Sequence, residues 1–124
     1  MHAEGPYFYR NGVPHEREED YATRCAAELE TLVLREGPDQ IAAFFAEPLM
    51  GSAGVILPPR TYFEKVQAVL RRYCILLVAD EVIRGFGRTG NLFGCETYGL
   101  EPGMMTVAKQ LSAGYVQITG LLIN

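Results

Sequence analysis

Apolar residues recur along this chain at two different spacings, which predict helices and strands in alternation. From Glu16 to Glu36 and from Arg60 to Tyr73 they return at every third or fourth position, the spacing of one buried helix face. Acidic residues crowd the first turn of the earlier segment, where they favour the positive end of a helix dipole. Gly37 follows its last residue, and a glycine there commonly ends a helix. We therefore expect two amphipathic helices in these segments.

Shorter, mainly apolar runs separate the helices, and the first of them is continuously apolar, as is typical of a strand covered on both faces. Their bounds are Ile41–Ala46, Cys74–Ala79, Met104–Ala108 and Val116–Ile123. The first two runs enclose the second helix, and this order of strand, helix and strand predicts a right-handed βαβ unit. The fold class that follows is α/β, with helices packed on a mainly parallel sheet.

Two segments outside these elements carry weaker patterns. Residues 1–15 contain turn signals and predict an irregular N-terminal segment before an α/β core over residues 16–124. The aromatic run Tyr7–Tyr9 within that segment is compatible with a short edge strand. Residues 85–103 are rich in glycine and predict a long loop, compatible with a short helix at Cys95–Tyr98. A loop longer than a connection requires favours a functional role.

The composition is typical of a soluble globular protein and limits which kinds of partner are expected. It has 124 residues, enough for one domain, of which 48% are hydrophobic and 21% are charged. The formal net charge is −4 and no basic face accumulates, so nucleic acid is not an expected partner. No apolar run approaches the roughly 18 residues that cross a membrane, so no membrane association is expected.

The cysteines and the chain ends predict a cytoplasmic location and a longer parent protein. Cys25, Cys74 and Cys95 are widely spaced and odd in number, which predicts reduced thiols rather than disulfides or a metal site. The first residues lack the basic and apolar regions of a signal peptide. The sequence stops at Asn124, directly after an apolar strand with nothing to cover it, so we expect a fragment of a longer chain.

Opposite charges stand at the ends of two predicted strands. Asp80 follows the run Leu76–Ala79, and Lys109 follows the run Met104–Ala108. The carboxyl ends of parallel strands meet at one sheet edge, where α/β proteins bind ligands. A primary amine can form an imine with the aldehyde of pyridoxal phosphate, and a carboxylate can keep the pyridine nitrogen of that cofactor protonated. Asp80 alone is compatible with a turn cap and Lys109 alone with a surface lysine, so the hypothesis depends on their occurring together.

Two further residues are candidates for the same site. Val82 lies two positions beyond Asp80, so a strand continuing to it would point both side chains to one face and place Val82 against a flat ring. Ordinary core packing is the alternative for Val82. Glu47 ends the preceding strand at the same edge, and it is compatible with a site carboxylate or with a capping residue.

The segment Gly85–Gly90 matches the pattern G-x-G-x-x-G of dinucleotide-binding sites, but its surroundings do not. Asp80, Glu81 and Arg84 separate it from the strand and would place acid beside a pyrophosphate. The following residues 91–94 do not begin a helical pattern. The glycines therefore predict a turn with positive φ. A dehydrogenase is the distant alternative, which binding of a nicotinamide cofactor would test.

Several spaced motifs resemble those of the class III aminotransferases, which are pyridoxal-phosphate enzymes of fold type I. One motif runs from Asp80 to Gly90 and another from Met105 to Lys109, with 29 residues (109 − 80) between the carboxylate and the lysine. Ala46–Pro48 and Phe93–Glu96 resemble the same family. The likeness covers nearly the whole chain and is strongest for the ω-amino-acid–pyruvate branch.

The resemblance implies a role for each candidate residue. Lys109 would hold the cofactor as a Schiff base, and Asp80 would pair with the pyridinium nitrogen. Val82 would pack against the ring, and Glu47 would be a nearby carboxylate. The enzyme would move an amino group from an amine or ω-amino acid to a keto acid such as pyruvate, as a homodimer with its sites between the subunits.

Two alternatives to this reaction stay open. The first is an aminomutase or racemase on the same cofactor, which would need no separate keto-acid acceptor. The second is a truncated, inactive remnant. The glycine–serine segment that binds the cofactor phosphate in the family has no match in this chain, and that observation favours inactivity of the isolated 124 residues.

Overall fold

A computed structural model describes all of residues 1–124, and its main elements alternate as the apolar pattern predicts. The helices are α1 (Phe8–Asn11), α2 (Glu18–Glu36), α3 (Tyr62–Arg72) and α4 (Gly94–Tyr98). The strands are β1 (Ala43–Ala46), β2 (Leu76–Asp80), β3 (Met104–Val107) and β4 (Gly120–Ile123). Short 3₁₀ turns occupy Pro38–Gln40 and Lys109–Leu111.

The four strands form one sheet in the order β1-β2-β3-β4. β1, β2 and β3 are parallel, with Ala46 opposite Ala79 and Asp80 opposite Thr106. β4 runs antiparallel to β3. The α/β class with a mainly parallel sheet is therefore confirmed, and the carboxyl ends of three neighbouring strands lie at one edge of it.

The two long helices cover the sheet through a common core. Leu29 and Val33 of α2 and Val66 and Leu70 of α3 belong to one cluster of 16 buried residues, which also contains Leu77 of β2. Full burial of such a side chain contributes about 1.5–3 kcal/mol. Because both helices present their apolar stripe to this cluster, the helical spacing in the sequence and the observed packing agree. None of the helices combines the length and apolarity that a membrane crossing requires.

Two local predictions are wrong. The aromatic run Tyr7–Tyr9 does not form an edge strand, because Phe8 begins α1 and its ring lies 5.5 Å from the ring of the buried Tyr21. The last strand is shorter than its apolar run, since it starts at Gly120 rather than Val116. The division into a segment 1–15 and a core 16–124 stays a prediction.

Candidate active site

Asp80 is the last residue of β2, and its carboxylate is held through one oxygen only. Oδ1 accepts a hydrogen bond from the backbone N–H of Val82 at 3.0 Å and a longer one from the hydroxyl of Thr106 at 3.4 Å. Thr106 is the residue opposite Asp80 in the sheet register. Oδ2 has no hydrogen-bond partner in the chain. The partly buried carboxylate is therefore fixed in orientation and offers a free acceptor.

Val82 does not share the strand face of Asp80, because β2 ends before it. The hydrogen bond from its own N–H to the Asp80 side chain closes a turn two residues long, of the kind that aspartates form at the ends of strands. The condition for placing both side chains on one strand face is therefore not met. Packing of Val82 on a cofactor ring stays a prediction.

Lys109 follows β3 and has an unusual backbone conformation. Its φ is +36°, a region that residues with a Cβ rarely adopt, and it opens the 3₁₀ turn that continues to Leu111. Such strain is maintained only where neighbouring contacts hold it, and it recurs at functional sites. The exposed side chain lines an open cavity of about 730 Å³ together with residues between Ser112 and Thr119. Its amine takes part in no ion pair within the chain.

Glu47 directly follows β1, the strand that pairs with β2. Its Oε2 accepts a hydrogen bond from the backbone N–H of Gly51 at 2.9 Å, which closes the turn after the strand. Glu47 and Asp80 line one groove of about 510 Å³ that runs along β1. Lys109 is absent from this groove and lines a separate cavity. The two acids thus line one groove, and the lysine follows β3, the neighbour of β2, at the same sheet edge.

A second acid at the end of β2 was not among the candidate residues. Glu81 is fully buried, and its carboxylate accepts the backbone N–H of Gly94 at 3.0 Å and that of Cys95 at 2.6 Å. These are the first two residues of α4, so Glu81 satisfies the free N–H groups at a helix start. Burial, and then the hydrogen bond to Glu81, raise the pKa of the Cys95 thiol. The sequence signal for this role is an acid two positions after an apolar run, followed later by a glycine that opens a short helix.

The glycine-rich segment forms the turn that its sequence predicts. Gly87 and Gly90 have φ values of +96° and +93°, and Phe86 also has a positive φ. Arg84, just before the segment, donates from Nε to the backbone oxygen of Leu49 at 3.2 Å and so joins this turn to the loop after β1.

The free atoms at this edge fit pyridoxal phosphate. The unpartnered Oδ2 of Asp80 can accept an N–H from a cationic ring, and the exposed amine of Lys109 can react with an aldehyde. Both residues follow parallel strands that are neighbours in the sheet. The structure thus places a free carboxylate oxygen and a free amine on adjacent elements.

An α/β protein with an acid and an amine at the carboxyl edge of its sheet belongs to a class that is suited to carbonyl and amine chemistry. Comparison with known families identifies the family, which the geometry alone does not. The sequence profile described as aminotransferase class-III matches residues 2–123, and the chain belongs to this family.

Known relatives agree with this assignment over the whole chain. It is 53% identical to γ-aminobutyrate transaminase 2 of Solanum lycopersicum and 52% identical to vanillin aminotransferase of Capsicum chinense, in each case over 100% of this chain and 27% of the relative. A solved structure of the ω-transaminase from Pseudomonas jessenii, in complex with PMP, superposes with a TM-score of 0.99 at 55% identity. That match covers 100% of this chain and 27% of the solved one. The chain thus spans about a quarter of the length of these proteins.

Proposed function

We propose that the protein acts as a pyridoxal-phosphate-dependent aminotransferase in which Lys109 binds the cofactor covalently. The observation that carries the proposal is the pair of free groups on adjacent strand ends, the Oδ2 of Asp80 and the amine of Lys109, in a chain of this family. The amino donor is an amine or ω-amino acid and the acceptor is a keto acid such as pyruvate. The names of the relatives, a γ-aminobutyrate transaminase and an ω-transaminase, support the donor class.

Bound pyridoxal phosphate supplies an aldehyde that captures amines and a cationic ring that withdraws electrons from the bond to be broken. Asp80 would hold that ring in its cationic form, because Oδ2 accepts the ring N–H while Val82 and Thr106 fix Oδ1. Lys109 would hold the cofactor through its Nζ. The same Nζ would move the proton at the substrate carbon, first as base and afterwards as acid.

The remaining candidate residues would support this chemistry. Val82 would pack against the ring, and Glu47 would contribute a carboxylate close to Asp80 while its hydrogen bond to Gly51 keeps the adjoining turn closed. A second copy of the protein would complete the site, so we also propose a homodimer.

Covalent mapping of the lysines tests the proposal. The protein at its full natural length is mixed with pyridoxal phosphate, reduced with borohydride and digested for mass spectrometry. The sequence contains just Lys65 and Lys109. Lys65 is an internal control, because its amine is already engaged by the backbone oxygen of Glu19 at 3.0 Å and the hydroxyl of Thr23 at 2.7 Å.

We expect a stable label on Lys109 and none on Lys65. The Lys109→Arg variant should lose both the label and the transfer of amino groups to pyruvate, while Lys65→Arg keeps both. A label on Lys65, or no label within this chain, would contradict the assignment of Lys109. Turnover of an amine without any keto acid would instead identify another reaction on the same cofactor.

A further inference from the structure

One side-chain contact joins the glycine-rich turn to the residue that follows Lys109. Arg88 donates from Nε and Nη2 to the amide oxygen of Gln110, at 2.8 and 2.6 Å, with that amide oriented so that its oxygen faces the guanidinium. Charge-assisted bonds are stronger than neutral ones, and the planar guanidinium places its donors in a fixed geometry. Gln110 is therefore held by a residue that lies outside the 3₁₀ turn Lys109–Leu111.

The Arg88 side of this contact is itself anchored to α4. The hydroxyl of Thr97, in that helix, donates to the hydroxyl of Thr89 at 2.8 Å and accepts a bond from the side chain of Asn91 at 2.9 Å. Thr89 is the neighbour of Arg88 in sequence. The turn that carries the guanidinium is thus tied to a helix and is not a free loop.

The same helix is fastened to the end of β2. Glu81, which follows Asp80, accepts the backbone N–H groups that open α4. A continuous path of covalent and hydrogen bonds therefore runs from Asp80 through α4 and Arg88 to the residue after Lys109. The path connects Asp80, which lines the groove along β1, with Lys109, which lines the other cavity.

Lys109 needs such an external contact because its backbone is strained. With φ at +36°, the residue would relax to a commoner conformation if the turn were free. Within the turn, the hydrogen bond from the N–H of Leu111 to the oxygen of Ala108 closes the backbone at 2.8 Å. The contact between Arg88 and Gln110 adds a restraint from a different element, which opposes relaxation of the whole turn.

We infer that Arg88 is a positioning residue for Lys109, acting through Gln110 to keep the amine in the conformation that reacts with the cofactor aldehyde. The inference rests on the proposed function of Lys109. It gives the Gly85–Gly90 turn a role that is neither nucleotide binding nor simple connection. Loss of the contact lowers the fraction of molecules with a competent Lys109, and the rate of covalent capture falls with that fraction.

The test measures how fast Lys109 is labelled by pyridoxal phosphate and borohydride in the protein at its full natural length. Arg88→Leu and Gln110→Met are each expected to slow labelling about tenfold, which corresponds to about 1.4 kcal/mol. The double variant should be no slower than either single variant, because both remove the same contact. Arg88→Lys keeps a cationic donor and should recover part of the rate.

Arg71→Leu is the matched control, since Arg71 pairs only with the exposed Glu101 at 3.7 Å on the surface of the protein. It should label at the wild-type rate. The inference is overturned if Arg88→Leu labels normally, or if the effects of the two single variants multiply in the double variant. If Arg88→Leu does not fold, as judged by circular dichroism, Gln110→Met carries the comparison. Absence of labelling in the wild-type protein would instead refute the proposed function, and this inference with it.

Discussion

At the scale of single residues, the two carboxylate oxygens of Asp80 differ clearly in their hydrogen bonding. Oδ1 accepts hydrogen bonds from Val82 and Thr106, whereas Oδ2 has no partner within the chain. The carboxylate is only partly buried, so the unpartnered Oδ2 is accessible from outside the protein. The substitution Asp80→Asn separates a binding role from a structural one, because the amide oxygen can still accept the N–H of Val82.

We expect Asp80→Asn to lower kcat about 10²–10³-fold with a much smaller change in KM, since an acid that stabilises developing charge acts chiefly in the transition state. Steady-state kinetics with an amine donor and pyruvate measure both constants. Asp39→Asn is the matched control, because Asp39 is exposed and makes no side-chain hydrogen bond. Equal losses in kcat and in substrate affinity would contradict the assigned role of Asp80.

At the scale of elements, α4 depends on a residue that lies far from it in sequence. A helix of 5 residues, Gly94–Tyr98, is too short to be stable by itself, and Glu81 supplies the cap that its own sequence lacks. Glu81→Gln would replace one acceptor oxygen by an NH₂ group that faces a backbone N–H. We expect a loss of about 1–3 kcal/mol in the free energy of unfolding, measured by urea denaturation.

The control for Glu81→Gln is the same substitution at Glu96, an exposed residue of α4 that makes no side-chain hydrogen bond. It should change stability by less than about 0.5 kcal/mol. If the two variants have the same midpoint in urea, the buried carboxylate does not stabilise the helix start. Because Glu81 also lies on the path to Arg88, its loss should slow the labelling of Lys109 as well.

Most elements could be predicted from periodicity, and the failures have physical causes. The strand propensity of Tyr7–Tyr9 is local, whereas the position of Phe8 is decided by its contact with Tyr21 on α2. The apolar run from Val116 could pair only as far as β3 extends. Val107, the last residue of β3, pairs with Gly120, and the chain turns away at Lys109, so residues before Gly120 have no partner. Pairing, not apolarity, sets the length of β4.

At the scale of the whole molecule, the site could be predicted in part because it is built from strand ends. Asp80, Lys109 and Glu47 each follow an apolar run, and parallel topology alone brings them to one edge. Part of what binds the side chains there is local, such as the bond from Val82 to Asp80, but part of it is not. The pairing of Asp80 with Thr106, and of Arg88 with Gln110, joins residues that only the folded chain makes neighbours, so no spacing rule indicates them.

Contacts between α2 and α3 make the free energy of unfolding depend on pH in a predictable direction. Glu30 of α2 accepts a hydrogen bond from the hydroxyl of Tyr73 at 2.8 Å and pairs with Arg72 at the end of α3. These two contacts, the Tyr73 bond first, hold the pKa of Glu30 below its ordinary value of 4.5. A carboxyl with a lowered pKa in the folded state stabilises the fold above its unfolded pKa. That contribution is lost as the pH falls through the folded value.

Glu30→Gln should therefore destabilise the protein at neutral pH, and the difference from wild type should shrink as the pH falls below 4.5. Urea denaturation at intervals between about pH 7 and about pH 3 measures the two free energies of unfolding. Gln keeps an acceptor for the Tyr73 hydroxyl, so the pH-dependent part of the difference reports the charge alone. Glu64→Gln is the control, since Glu64 is exposed on α3 and has no ion-pair partner. A difference at Glu30 that persists unchanged into acid would show that the side chain stabilises the helix pair by packing rather than by its charge.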